Sequence, residues 1–313
     1  MGVLVEGIWH TDWYDTKSSG GKFKRQDSQF RNWIGDDDFP AQSGRYHLFV
    51  SLACPWAHRT LIFRKLKQLE SHIGVTVVKP EMLDNGWELD DSISVDLGYD
   101  ASPVSGLQFL YQLYTKVNPK HSGRVTVPVL WDKQRNTIVS NESAEIIRML
   151  NSAFDAITGD EQDFYPERLR DEIQRVNEGV YNNINNGVYR CGFATTQEAY
   201  QGAFVDLFNA LDGLETKLGG QPYLVGDQVT EADWRLFTTL VRFDAVYYGH
   251  FKCNQKRLQD YPNLSKYLRE LYHWPGVAET VNFTHIKRHY YFSHTMINPT
   301  QIVPQGPELD YLL

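Results

Sequence analysis

An α/β domain joined to an all-helical domain is what this sequence predicts, and three observations carry that reading. From Tyr46 to about residue 155, short apolar runs of strand character alternate with stretches of helical spacing. From about residue 156 onward the strand signals stop and helical spacing takes over. The length of 313 residues suits about two domains of roughly 150 residues each. The limits read this way are an N-terminal arm over 1–45, an α/β domain over 46–155, a helical domain over 156–280, and a tail over 281–313 that wraps near the cleft between the domains.

The arm is rich in Gly, Asp, Lys and Trp without a sustained period, which predicts an extended path with short pieces of structure. Tyr46–Ser51 reads as a buried strand, and Pro55 suits the first turn of a helix. Ile62, Leu66 and Leu69 then recur on one helical face, and Val75–Val78 is a second strand. Strand, helix and parallel strand make a right-handed crossover. Residues 80–123 are irregular, with turns at Asn85-Gly86 and Asn118-Pro119 and a helical turn or two at Phe109–Tyr114. Val125–Trp131 is a strand interrupted by Pro128, and Thr137–Val139 is a short strand. A helix over 142–150 follows, capped by Ser140 or Asn141, with Glu142 and Glu145 in its first turn. Helical spacing returns over Asp171–Tyr181, Thr196–Leu218, Glu231–Phe243 and Leu264–Tyr272, and Thr230 with Asp233 forms a variant capping box.

Composition narrows the function classes. Hydrophobic residues at 42% and charged residues at 22% are those of a globular protein. A formal net charge of −8 argues against nucleic acid or an anionic membrane as the main partner. Three cysteines, Cys54, Cys191 and Cys253, do not make a secreted disulfide framework, and a reducing, cytoplasmic setting fits them better. The N-terminus has neither the basic nor the apolar stretch of a signal peptide, and no apolar run is long enough to span a bilayer. No Cys/His cluster has ligand spacing, so no metal site is expected.

The chemistry concentrates at Ser51-Leu52-Ala53-Cys54-Pro55-Trp56-Ala57-His58-Arg59. A cysteine where a buried strand meets a helix faces unsatisfied helix N–H groups and the positive end of the helix dipole. Both stabilise a thiolate, so Cys54 is expected to titrate low and act as a nucleophile. Ala57 stands three places on, so there is no dithiol pair; Cys191 and Cys253 are candidate resolving thiols by elimination only, and a small external thiol is the preferred one. Glu142-Ser143 opens a helix directly after a strand: a helix N-terminus and a hydroxyl hold a carboxylate, and Glu142 holds an ammonium.

The spacing of Cys54-Pro55, Val127-Pro128 and Glu142-Ser143 resembles the glutathione-binding half of glutathione transferases. The finer resemblance is to glutathionyl-hydroquinone reductases, the Xi class. It rests on Gly7-Ile8-Trp9, Trp13-Tyr14-Asp15-Thr16-Lys17, Gly20-Gly21-Lys22-Phe23, the Cys54–Arg59 run, Asn182–Tyr189, Arg242-Phe243-Asp244, His289–His294 and Ile297-Asn298-Pro299. It covers nearly the whole chain and departs over Ile34–Arg45, where this chain is shorter. The resemblance implies a thioredoxin-like N-terminal domain, a helical C-terminal domain, a cis Val127–Pro128 bond, and glutathione as co-substrate. Implied glutathione contacts are Trp87, Arg124, Val125, Thr126, Val127, Glu142 and Ser143. Arg124 is a plausible fork for the glycyl carboxylate, and Val127 would pair through its main chain. Tyr189, Tyr247 and Tyr290 are implied at the catalytic centre, a role the sequence by itself does not give to any one of 18 tyrosines.

The reaction so implied removes glutathione from a glutathionyl-hydroquinone. Cys54 attacks the thioether sulfur, a tyrosine protonates the departing aromatic carbon, and a second glutathione clears the mixed disulfide as oxidised glutathione. The relatives imply a homodimer. Two other readings use parts of the same pattern: a general thioltransferase or dehydroascorbate reductase of Omega type, needing only Cys54, and a non-catalytic glutathione-binding module.

Overall fold

Eight short strands and eleven helices are built by the sequence within residues 2–309, the part described in the computed structural model. The chain forms two compact units. The first takes residues up to Trp13, Gln26–Gln162 and Thr280–His289; the second takes Tyr14–Arg25, Asp163–Glu279 and the chain from Tyr290. The arm is therefore shared between the units, and so is the tail, whose residues 310–313 lie outside the described part.

In the first unit, strands β1 (Val3–Val5), β2 (Ile8–His10) and β6 (Gly123–Arg124) form a small sheet in the order β2-β1-β6. The main sheet has β3 (Tyr46–Val50), β4 (Gly74–Leu83), β5 (Gly86–Leu89), β7 (Val129–Asp132) and β8 (Thr137–Ser140), in the order β5-β4-β3-β7-β8. Strands β3 and β4 run parallel, joined through α1 (Pro55–Leu66), and the other neighbours are antiparallel. All five β3 side chains are buried, as a central strand covered on both faces requires. Helices α2 (Asp91–Asp96), α3 (Tyr111–Val117), α4 (Ser143–Ser152) and α5 (Asp155–Thr158) complete the unit.

The structure changes several expectations. The run Val125–Trp131 is not one strand. Pro128 cannot donate to a ladder, and the chain leaves one sheet after Arg124 and joins the other at Val129. The hairpin β1–β2 carries no Asn-Gly or Asp-Gly signal, because Glu6 and Gly7, with φ of 49° and 80°, supply the positive angles its turn needs. The cap of α4 is Glu142 itself, not Ser140 or Asn141: its Oε1 accepts from the Ala144 N–H at 3.0 Å.

The second unit is helical: α6 (Arg170–Val180), α7 (Gly187–Gly192), α8 (Gln197–Leu218), α9 (Glu231–Arg242) and α10 (Pro262–Tyr272). Two π-helical turns, Tyr181–Asn185 and Phe243–Tyr247, extend α6 and α9. Thr230 and Asp233 do form the capping box of α9, and the buried Asp233 carboxylate also accepts from the Leu224 N–H at 2.9 Å and the Tyr267 hydroxyl at 2.8 Å. The tail contains a helix, α11 (Phe283–Ser293). Its buried residues His285, Ile286, His289, Tyr290 and Ser293 recur with helical spacing, but the face is mostly His, Tyr and Ser, so apolar periodicity does not reveal it. Among the described residues, no helix is long and apolar enough to cross a membrane.

Candidate active site

Cys54 is the residue that caps α1, with φ −78° and ψ 122°, and Pro55 follows as the first helical residue. A turn after β3 places it: the Cys54 N–H donates to the Ser51 carbonyl at 3.0 Å, and its own carbonyl accepts the His58 N–H at 2.9 Å. Its side chain is partly exposed and its Sγ lies 3.6 Å from the Val127 carbonyl oxygen. Cys54 thus sits at the positive end of α1 and against the segment that precedes Pro128. Cys191 and Cys253 are buried, and burial, reinforced by the neighbouring Cys191 thiol, pushes the Cys253 thiol well up. Cys253 is thereby held as the protonated thiol.

The Val127–Pro128 bond is cis. Val125–Pro128 belongs to neither sheet ladder, so this segment's main chain is not committed to strand pairing. Tyr114, which the sequence reading missed, steadies it: its hydroxyl donates to the Thr126 carbonyl at 2.8 Å and accepts from the Asn141 amide at 3.2 Å. Burial pushes the Tyr114 phenol up, which keeps that donor protonated. Tyr114 falls in an ordinary amphipathic turn, so no local signal marks it.

Glu142 and Ser143 start α4. Besides capping the helix, Glu142 accepts from the Ser28 hydroxyl at 3.1 Å. Ser143 is buried, and its Oγ lies 3.4 Å from an Arg59 guanidinium nitrogen. Arg59 is fully buried on α1, with its guanidinium 4.5 Å above the Trp56 ring. It ties the helix that starts at Cys54 to the helix that starts at Ser143, and its signal in the sequence was a charge on an otherwise buried helix.

Trp87 lies in β5, 6% exposed, with its ring stacked on His289 at 4.9 Å. The His289 Nδ1 is 2.9 Å from the Pro80 carbonyl, so it carries a proton and donates. Arg124 ends β6. Its guanidinium donates to the carbonyls of Gly2 at 3.0 Å, Asp12 at 2.7 Å and Trp13 at 2.7 Å. It holds the arm beside the Val125–Pro128 segment.

Tyr189, Tyr247 and Tyr290 come together in the second unit. The Tyr290 hydroxyl is 2.6 Å from that of Tyr189 and 2.9 Å from that of Tyr247, giving a chain of three phenols with Tyr290 in the middle. Burial, and then the two neighbouring phenols, push Tyr290 well up, against the opposing pull of the Arg242 cation. Three hydroxyl protons are present for the two bonds between the phenols, one more than those bonds use. Among the described residues no group of three or more His, Cys, Asp or Glu could hold a metal ion.

Comparison with known proteins bears on the family of the chain. The family model described as "Glutathione S-transferase, N-terminal domain" matches residues 53–153, and the one described as "Glutathione S-transferase, C-terminal domain" matches 197–270. The chain is 56% identical to the glutathionyl-hydroquinone reductase YqjG of Escherichia coli K12 over 99% of its length and 96% of the relative's. It is 54% identical to the glutathionyl-hydroquinone reductase PcpF of Sphingobium chlorophenolicum, over 98% and 96%. Superposition on the glutathione-bound structure of YqjG gives a TM-score of 0.90, covering 100% of this chain and 97% of the other at 52% identity. The Xi glutathione transferase of Phanerochaete chrysosporium gives 0.88, covering 93% and 99%, at 53% identity.

Proposed function

The chain belongs to the glutathionyl-hydroquinone reductases, the Xi class of the glutathione transferase family, and on that premise we propose how its own residues carry the reaction. It is an enzyme that uses glutathione to reduce glutathionyl-hydroquinones to free hydroquinones. The observation that carries the mechanism is the position of Cys54 at the N-terminus of α1, directly before Pro55.

The Cys54 thiolate attacks the sulfur of the substrate thioether. A Cys54–glutathione disulfide forms, the aryl carbon–sulfur bond breaks, and its electron pair goes to the aromatic carbon. Tyr189 gives that carbon its hydroxyl proton, and the free hydroquinone leaves. The thiolate of a second glutathione then attacks the glutathione sulfur of the mixed disulfide, which releases oxidised glutathione and restores the Cys54 thiolate. The proton lost by the second glutathione replaces the one spent by Tyr189. Glutathione is held by main-chain pairing along Val125–Val127, by Glu142 at its ammonium and by the α4 N-terminus and Ser143 at its carboxylate, with Trp87 beside it. We further assign the enzyme to the cytoplasm as a homodimer; the sparse cysteines support the first and the family the second.

Turnover of a panel of glutathionyl-hydroquinones with glutathione, followed by release of free hydroquinone and oxidised glutathione in equal amounts, tests this reading. Reduction of simple mixed disulfides without any hydroquinone release would replace it with general thioltransferase activity.

A further inference from the structure

We propose that Arg25 is a positioning residue for proton donation: its guanidinium over the Tyr189 ring makes Tyr189 the end of the tyrosine chain that gives up its proton. The proposal deepens the mechanism above and rests on Tyr189 being the donor.

The chain of hydroxyls has two possible directions. Tyr247 donates to Tyr290 and Tyr290 to Tyr189, or the order reverses. Whichever end gives its proton away becomes a phenolate, so the direction follows from which end better tolerates a negative charge. The two ends differ. Tyr247 is 0% exposed, with its ring stacked on Phe251 at 5.4 Å between centroids, and complete burial penalises charge. Tyr189 is 9% exposed, and the Arg25 guanidinium carbon sits 5.1 Å from its ring centroid. A cation at that distance from a phenol ring is attracted by the ring and more strongly by a phenolate.

Arg25 is aimed rather than loosely draped. Its Nε donates to the Asn186 side-chain oxygen at 3.0 Å, and Asn186 immediately precedes α7, the helix that carries Tyr189. The same guanidinium lies 5.4 Å from the Phe23 ring, which itself packs on Tyr189 at 6.3 Å. When Tyr189 loses its proton, the Tyr290 hydroxyl donates to the phenolate across 2.6 Å and Tyr247 donates to Tyr290 across 2.9 Å. The charge is then shared by two hydrogen bonds and one cation.

Other titratable or charged groups face the middle of the chain or point away from it. Arg242, buried at the end of α9, acts on Tyr290. His294, on the chain just past α11, packs edge-on against Tyr290 at 5.4 Å and pairs with His250 at 3.1 Å. Tyr14 of the arm packs on Phe23 and Phe193. Cys191, on α7, and Cys253 are both buried, and Cys253 is held protonated. Arg190, next to Tyr189 in sequence, is drawn outward to Asp206 at 3.0 Å.

The test compares Arg25→Gln, which removes the charge, with Arg25→Lys, which keeps it, and with Asn186→Ala, which frees the guanidinium without changing charge. Without the cation the Tyr189 phenol is a weaker acid. Hydroquinone release by Arg25→Gln should fall by about tenfold, and the alkaline limb of its pH–rate profile should move to higher pH. Arg25→Lys should recover most of the rate, and Asn186→Ala should lie between. Reduction of a simple mixed disulfide, which needs no proton at carbon, should be unchanged in all three. A fall with no movement of the alkaline limb, or an equal fall on both substrates, would show that Arg25 only packs. If the wild-type enzyme released no hydroquinone, the mechanism would fail, and Arg25 would still be read by ultraviolet titration of tyrosinate. A shift on Arg25→Gln that disappears in a Tyr189→Phe background supports the proposal, and no shift overturns it.

Discussion

The two units place their reactive groups by different means. In the first, each group stands where a strand turns into a helix: Cys54 between β3 and α1, Glu142 and Ser143 between β8 and α4. A few consecutive residues make each site, because the helix N-terminus supplies the electrostatics. In the second, no single segment makes anything reactive. Tyr189 and Tyr290 are 101 residues apart and Tyr247 and Tyr290 are 43 apart, and only their packed helices bring the hydroxyls within hydrogen-bonding distance. A nucleophile can be activated by local structure, whereas a chain of proton donors has to be assembled. Mutations should therefore act on separable steps in the two units.

The largest effect is expected at Cys54. Cys54→Ser should lower turnover by roughly 10³-fold or more on every substrate, since both half-reactions pass through its sulfur. Cys191→Ser and Cys253→Ser should keep most activity, and iodoacetamide should label Cys54 first in the native protein. Near-normal turnover by Cys54→Ser would erase the contrast between the units.

Next comes Tyr189→Phe, which should slow hydroquinone release by about 10²-fold, at the lower end for a general acid, while leaving reduction of a simple mixed disulfide nearly intact. Parallel assays on the two substrates measure that split. Equal losses would refute Tyr189 as the donor, and a split seen only with Tyr247→Phe would move the donor to the other end of the chain.

The units should also differ in what destabilises them. In the first, His47 on β3 is buried against the Thr76 hydroxyl at 2.7 Å, and burial pulls it down from its ordinary 6.5 to about 4. The folded state holds it neutral, so its contribution is fully present above pH 6.5 and is lost as pH falls toward 4. Over that window the protein should lose about 3 kcal/mol through this group. Urea unfolding at a series of pH values measures the slope, and His47→Gln should flatten it; an unchanged slope would assign the acid sensitivity elsewhere.

The smallest effect belongs to the second unit. Thr230→Ala removes half of the capping box at α9 and should cost about 1–2 kcal/mol in thermal or urea unfolding, with little change in turnover. A large activity loss at unchanged stability would mean that this cap also governs the tyrosine chain.

How much of this was legible beforehand follows from the same contrast. Sequence alone determined the two-domain order, the strand–Cys54–Pro55–helix junction, the helix after Thr230 and the position of Pro128, because each depends on neighbours within about a turn of chain. The resemblance then supplied the tyrosines, which no local pattern distinguishes from packing residues. Tertiary structure decided the rest. It split Val125–Trp131 between two sheets, because a residue without an N–H cannot continue a ladder. It turned Arg124 toward the carbonyls of the arm and brought Tyr114 to Thr126. It made a helix of Phe283–Ser293, whose buried face is rich in histidine and tyrosine. It set Arg25 over Tyr189, across 164 positions of sequence. Such placements depend on which distant segments pack together, and the energy that fixes them belongs to the contact between segments and to neither segment alone.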